Sequence, residues 1–321
     1  MKIGVPKEIK NHEYRVGLTP ESVKEIIKNN HQVFIQKDAG SEIGFSNESY
    51  EGAGATIIDN AKKLYEASEL IVKVKEPIPE EFKYLNSKHT VFAYLHLAGD
   101  PETGLELAST GITGIALETV TADNGTMPLL SPMSAIAGQL SVVVGSYHLL
   151  KPNKGMGILI GAFQDVEPRV VTVIGAGVAG TEAIEKAIDN KAHLKIIDLS
   201  EKRLNELERI YGNKNIEYIL STEASIESAL IESDLVIGAV YVIGKQAPKV
   251  VKNSMLKQMK PGAVMVDISI DQGGCFESSK PTTHAKPTYD KDGIIHYCVT
   301  NMPGAVPLTA TQALNKATLP Y

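Results

Sequence analysis

Basic runs are missing from this sequence, and so is any excess of positive charge: 32 Lys and Arg stand against 38 Asp and Glu, for a net charge of −6. That balance argues against a nucleic-acid surface, which needs clustered cations to meet phosphates. Cysteine is scarce as well. Cys275 and Cys298 have neither CxxC spacing nor a histidine at metal-ligand distance. They read as reduced thiols of a cytoplasmic protein, and neither a disulfide nor a metal centre is expected. The start, Met1-Lys2-Ile3-Gly4-Val5, enters a strand-like run without the apolar core of a signal peptide. Long hydrophobic runs are lacking too: the least polar stretch, Met133 to Leu150, contains Gln139, Ser141, Ser146 and His148, which fits a buried helix better than a membrane span. There is no tryptophan, internal repeat or low-complexity tract. What is left, at 43% hydrophobic and 22% charged over 321 residues, is a soluble globular chain of about two domains.

The most informative segment lies mid-chain. The apolar run Val170 to Ile174 leads into Gly175-Ala176-Gly177-Val178-Ala179-Gly180, and the next apolar run, His193 to Ile197, closes on Asp198. Strand, glycine loop, helix, strand and acid in this order make a dinucleotide-binding βαβ unit. Gly175 makes the tight turn, Gly177 lets backbone approach a pyrophosphate, and Gly180 allows close helix–strand packing. The helix N-terminus behind the loop offers free N–H groups to phosphate. Asp198 falls about 20 residues on, where a carboxylate accepts bonds from ribose hydroxyls and repels a 2′-phosphate. NAD rather than NADP is the expected cofactor.

The loop begins late, so another domain's worth of chain precedes it. There, short strands (Val33 to Ile35, Ala55 to Ile58, Leu70 to Val74, Thr90 to Ala93, Gly114 to Leu117) alternate with helical segments, the first opened by Thr19-Pro20. A long helix from about Ser134 leads to the second series, in which Ser200 caps a helix whose Leu204, Leu207 and Ile210 face inward. Strands follow at Leu235 to Ala239 and Ala263 to Ile268. The rhythm predicts an α/β protein of two Rossmann-like, doubly wound domains, joined by the long helix with a cleft between them. One domain would comprise residues 1–132 plus 306–321, and the nucleotide-binding domain 133–305.

Ligands of such sheets bind beyond the carboxyl ends of strands. The polar residues expected there are Arg15, Lys75, Tyr94 and His96 in the first half, and Asp271 and Asn301 in the second. Taken singly, four of these have an ordinary explanation. Arg15 would be a surface ion-pair partner, Lys75 a solvated strand end, His96 a core histidine between Leu95 and Leu97, and Asp271 a turn former.

Longer motifs change that weighting. GVPKEIKNHEYRVGLTP (Gly4 to Pro20), VKVKEP (Val72 to Pro77), YLHLAGDPE (Tyr94 to Glu102), SPMSAIAGQ (Ser131 to Gln139), IGAGVAG (Ile174 to Gly180), LVIGAV (Leu235 to Val240), VDISIDQGG (Val266 to Gly274), KPTTH (Lys280 to His284) and NMPGAVP (Asn301 to Pro307) together resemble the alanine dehydrogenase family. The nucleotide-binding subunit of proton-translocating transhydrogenase is a relative with a similar opening and glycine loop.

The resemblance implies NAD-dependent, reversible oxidative deamination of L-alanine to pyruvate and ammonium by a soluble homo-oligomer, commonly a hexamer. Hydride leaves the α-carbon, water attacks the imine, and ammonia departs. It implies that Arg15 and Lys75, with Tyr94, hold the substrate, that His96 is the general acid/base, and that Asp271 steers water or amine and stabilises a protonated iminium. Cofactor contacts carried over are Ser134, Gly175, Gly177, Val178, Ala179, Gly180, Asp198, Arg203, Ser221, Asn301 and Met302, with Arg203 stacking on adenine or else a solvated helix residue. Where the family has glycines after the first nucleotide-domain helix this chain has Asn190-Lys191-Ala192, and Asn190 is expected to take the left-handed cap. Family members usually continue past the motif Leu319-Pro320-Tyr321, so the chain reads as shortened there, with apolar surface of the first domain expected to be uncovered. A hydride-exchange subunit and a non-catalytic NAD-binding protein stay open as alternatives.

Overall fold

The computed structural model describes residues 1–97, 99–242 and 245–321. The chain divides into two compact units, one of residues 1–133 with 303–321, the other of 134–302. The sequence reading placed the divisions at 132/133 and 305/306.

The first unit begins with β1 (Lys2–Val5), α1 (Pro20–Lys28), β2 (Gln32–Gln36), α2 (Asn47–Gly52), β3 (Thr56–Ile58), α3 (Ala61–Ala67) and β4 (Leu70–Val72). It continues through α4 (Pro79–Phe82), β5 (Thr90–Ala93), α5 (Pro101–Ser109) and β6 (Thr113–Ala116). Local chemistry opens these helices. Thr19 accepts the Ser22 N–H ahead of Pro20, and Ser46, Asn60 and Asp100 likewise accept N–H groups in the first turns of α2, α3 and α5. All pairings in the six-stranded sheet are parallel, in the order β3-β2-β1-β4-β5-β6. Period-two alternation feeds a core on each face: Val72 faces Ile3, Val5 and Ile35, whereas Ile71, Val91 and Ala93 face Leu64, Tyr65 and Leu107.

α6 (Ser131–His148) starts three residues earlier than expected and leads into the second unit. It is not wholly buried: Val143 and Tyr147 are 49% and 58% exposed. Among the described residues no helix is long and apolar enough to cross a membrane. β7 (Val170–Ile174), α7 (Val178–Asp189), β8 (His193–Asp198), α8 (Glu201–Tyr211), β9 (Ile216–Leu220), α9 (Glu223–Glu232), β10 (Leu235–Gly238) and β11 (Val264–Asp267) follow, then the hairpin β12 (Thr288–Lys291) and β13 (Ile294–Tyr297). The order is β12-β13-β11-β10-β7-β8-β9, parallel except for β12 at the edge. Without β12, both sheets have the 3-2-1-4-5-6 order of doubly wound nucleotide-binding folds.

Three expectations need correction. Ile210 is exposed, because α8 buries Leu204 and Leu207 only. Asn190 stays at φ −80°, and the left-handed residue is Lys191 at φ 58°. The strand expected at Ala263 to Ile268 ends at Asp267, which accepts the Ser269 N–H and starts a 3-10 turn, Ile268–Gln272. Finally α10 (Pro307–Thr318) returns to the first unit. Thr311 Oγ1 accepts the Val16 N–H, Asn315 Oδ1 accepts the Thr19 N–H at 2.8 Å, and Asn315 Nδ2 donates to the Gly17 carbonyl.

Candidate functional site

In the first unit the strand order reverses between β1 and β4, so the segments leaving these two strands run out beside each other. Arg15 lies on the first. It is not a surface ion-pair partner: only 2% of it is exposed, and Glu13 grips it through Nε (2.7 Å) and Nη2 (2.6 Å). Nη1 points at the Met133 sulfur, 3.3 Å away. Burial opposes the Arg15 charge, but the Glu13 carboxylate outweighs it and holds the pKa above its ordinary value.

Lys75 lies on the segment after β4 and is buried as well, its Nζ 3.7 Å from Glu76. Beneath it sits a buried charge network. Lys73 Nζ bonds Glu8 (3.0 Å) and Glu81 (2.9 Å), Tyr65 donates to Glu81, and Glu8 Oε1 accepts the N–H groups of Val74 and Lys75. These bonds fix where the β4 segment turns. Burial pushes Glu76 toward its neutral form, yet Lys75 and Lys10 prevail and bring its pKa below the usual carboxylate value.

The segment after β5 carries Tyr94 and His96. Tyr94 is buried and donates to the Leu129 carbonyl at 2.5 Å, and burial pushes its phenol pKa up. His96 is not a core histidine. It is part-exposed, stands in the left-handed region at φ 48°, and its ring stacks on that of Tyr94 with centroids 6.0 Å apart. A non-glycine residue in this region needs support from its surroundings. Glu118, just past β6, supplies it by accepting the N–H of His96 at 2.6 Å and that of Leu95. Arg15, Lys75, Tyr94 and His96 thus all lie past strand ends of one sheet. The motif around His96 includes Ala98, which lies outside the described residues.

In the second unit the reversal falls between β7 and β10, and the glycine loop leaves β7 there. Gly175 is at φ 94°, and a Cβ on it would stand 2.6 Å from the Ala239 carbonyl oxygen. A Cβ on Gly180 would stand 1.8 Å from the Gly175 oxygen, so α7 can lie against the loop only with glycine there. Gly177 differs: it heads α7, no side chain caps it, and nothing lies within 4 Å of its Cβ position. Val178 and Ala179, which follow in the first turn, are exposed and half-buried.

Asp198, the last residue of β8, accepts the Ala176 N–H (2.7 Å) and the Ser200 N–H (2.8 Å), one on each oxygen. Its backbone oxygen accepts the Ser221 N–H, which brings Ser221 beside it. Arg203 is part-exposed and held by its neighbours. It donates to the Ala176 carbonyl (3.0 Å) and Thr181 (2.8 Å) and pairs with Glu206. Ala176, Gly177, Thr181, Asp198, Ser200 and Arg203 line a depression of about 570 Å³. Its chemistry fits the ribose and pyrophosphate of a dinucleotide: uncapped N–H groups at a helix start, open space at Gly177, and carboxylate oxygens with acceptor capacity left. Ser134, near the start of α6, is half-buried. Asn301, left-handed at φ 73°, accepts the His284 Nε2–H on its backbone oxygen, and Met302 after it is buried.

Asp271 is exposed and lies in the 3-10 turn rather than at a strand end. The acid at the strand end is Asp267. Burial raises its pKa, against the bonds it accepts from Ser279 and the N–H groups of Cys275 and Phe276. Both cysteines are buried and unbridged. Residues missed from the sequence are carboxylates acting on other residues: Glu8, Glu13, Glu118 and Asp267. Only Glu13, two positions before Arg15, had a local signal.

Residues 4–137 match the family model described as alanine dehydrogenase/PNT, N-terminal domain, and residues 141–321 match the corresponding C-terminal domain. The alanine dehydrogenase of Halomonas elongata is 50% identical over all of this chain and 86% of its own length. A solved L-alanine dehydrogenase superposes with a TM-score of 0.94 at 48% identity, covering 100% of this chain and 88% of the other. A transhydrogenase from Sinorhizobium meliloti shares the fold, with a TM-score of 0.85 at 24% identity over 100% of this chain and 92% of its own.

Proposed function

The chain belongs to the alanine dehydrogenase/PNT family, and on that premise we propose that it is an NAD-dependent L-alanine dehydrogenase, interconverting alanine with pyruvate and ammonium. The observation that carries this reading is the composition of the first unit's strand ends. A buried arginine, a buried lysine and a part-exposed histidine meet the needs of a small 2-oxo acid: two cations for carboxylate and carbonyl oxygens, and one group that exchanges protons near neutral pH.

Arg15 clamps the substrate carboxylate. Glu13 takes Nε and Nη2, so the plane of the guanidinium is set before substrate arrives. Lys75 polarises the carbonyl oxygen. His96 delivers a proton to that oxygen as ammonia adds to pyruvate and takes one back in deamination. Asp271 stabilises the cationic imine of the substrate and orients the attacking water or amine. Residues 175–180 with Asp198 and Ser221 hold the adenosine end of NAD, and Ser134, Asn301 and Met302 its other end. When bound, NAD takes or returns a hydride at the substrate α-carbon. The Asp198 carboxylate favours free ribose hydroxyls and repels a 2′-phosphate, hence NAD over NADP. A soluble cytoplasmic homo-oligomer completes the reading.

Purified chain mixed with NADH, pyruvate and ammonium should lose NADH absorbance, and omission of ammonium should stop the loss. NADH binding without ammonium-dependent oxidation would reject the proposal in favour of a non-catalytic or hydride-exchange role.

A further inference from the structure

The turn that presents Asp271 is tied down on three sides by side chains with no other evident task. From below, Asp267 Oδ1 accepts the Ser269 N–H (2.9 Å) and Oδ2 accepts the Cys275 N–H (2.9 Å), the Phe276 N–H (3.4 Å) and the Ser279 hydroxyl. Both flanks of the turn are thereby fastened to one fully buried carboxylate. From outside, the Lys249 ammonium donates to the carbonyls of Gly273 and Gly274 (2.8 Å to the latter). From the side, the Gln272 amide forms a paired contact with the Val242 backbone, accepting its N–H at 3.3 Å and donating to its carbonyl at 2.9 Å. Gly273 and Gly274 adopt φ 86° and 79°, and a Cβ on Gly274 would stand 2.6 Å from Asp267 Oδ2. Asp271 itself, at the centre, makes no side-chain hydrogen bond or ion pair among the described residues and is exposed.

A turn with its backbone donors and acceptors fixed and one carboxylate left over is a pre-organised charge. We infer that Asp267, Lys249 and Gln272 are positioning residues that fix the Asp271 carboxylate for the reaction. The inference rests on the role given to Asp271 above. Asp267 acts through N–H groups, Lys249 through carbonyls and Gln272 through the neighbouring loop, so loss of any one should let the carboxylate wander while the Arg15 site is untouched. The consequence is a loss of kcat with little change in KM.

The test measures Lys249→Met, Gln272→Leu and Asp267→Asn by ammonium-dependent NADH oxidation, alongside amide exchange of the peptide covering 268–276. Expected is a fall in kcat of roughly 10- to 100-fold, a pyruvate KM within about threefold of the parent, and faster exchange in that peptide. Lys249→Arg, which keeps donors at the carbonyls, should restore most of the turnover. In an Asp271→Asn background Lys249→Met should cost nothing further, because both act through one carboxylate. If Asp267→Asn does not fold, the two surface variants decide. Unchanged kcat in both, or a loss from Lys249→Met that is equally large in the parent and in the Asp271→Asn background, overturns the inference and leaves the functional reading intact. A parent chain that binds NADH without oxidising it rejects the functional reading instead, and unaltered exchange in the variants then rejects the clamp independently.

Discussion

At the residue scale, the proposed chemistry depends on charges held by partners to which no reactive role is given. Arg15 is useful because Glu13 fixes its plane. Arg15→Lys keeps the charge but loses the fork, so kcat/KM for pyruvate should fall by about 100-fold while NADH affinity is retained. Steady-state kinetics beside an NADH titration checks this, and near-parental kcat/KM would remove Arg15 from the substrate clamp. Asp198 makes the complementary case. Asp198→Ala removes a carboxylate that ties Ala176 to Ser200 and, on the proposed reading, accepts bonds from ribose, so NADH should bind roughly tenfold or more weakly, with discrimination against NADPH narrowed. An unchanged NADH-to-NADPH affinity ratio would sink the ribose contact. The candidate site side chains could be picked out in the sequence because each sits in a motif. Their partners could not: Glu8 meets residues 73–75 and Glu118 meets 95–96 only after distant strands pair, and nothing local in the chain marks which carboxylate will meet which amide.

At the element scale, the two sheets owe their shape to alternation and to punctuation. Strands with apolar runs and helices opened by Thr19 or Ser200 were legible in the sequence. β9, the β12–β13 hairpin and the early end of β11 were not. The hairpin is half polar at its edge, and β11 is cut short because a side chain competes with the ladder for the Ser269 N–H. The glycine loop allows a sharper test, since two of its glycines serve different ends. Gly177→Ala meets open space, so the folded state should keep its apparent Tm while NADH affinity drops. Gly180→Ala drives a methyl into the Gly175 carbonyl and must push α7 away from the loop, a strain of about 1–3 kcal/mol. That variant should lose both Tm and NADH affinity. Equal behaviour of the two in thermal melts and NADH titrations would contradict this division of labour.

At the scale of the whole molecule, two histidines folded neutral into the second unit contribute to acid sensitivity. Burial lowers the pKa of His148 and of His296; the latter has Nε2 against the Ser278 hydroxyl and Nδ1 on the Ile294 carbonyl. Above the ordinary value of 6.5 both are neutral, folded or unfolded, and cost nothing. As pH falls through 6.5 the unfolded chain takes up protons first, and stability is lost until the lowered folded values are passed. The apparent Tm should therefore decline as pH falls through 6.5, and a His148→Gln/His296→Gln variant should show a shallower decline. An equal slope in that variant would place the acid sensitivity elsewhere.

The strap formed by α10 has a consequence for how the protein is made. The second unit, 134–302, is continuous, whereas the first is interrupted and takes a further piece from 303–321. A ribosome delivers chain from the N-terminus, and domains tend to fold as units during delivery. The insert is therefore complete while the loop bearing Arg15 still lacks Thr311 and Asn315, the side chains that grip Val16, Gly17 and Thr19. The loop bearing Arg15 is thus set only after the whole of 134–302 has been delivered, although its own residues are among the first translated.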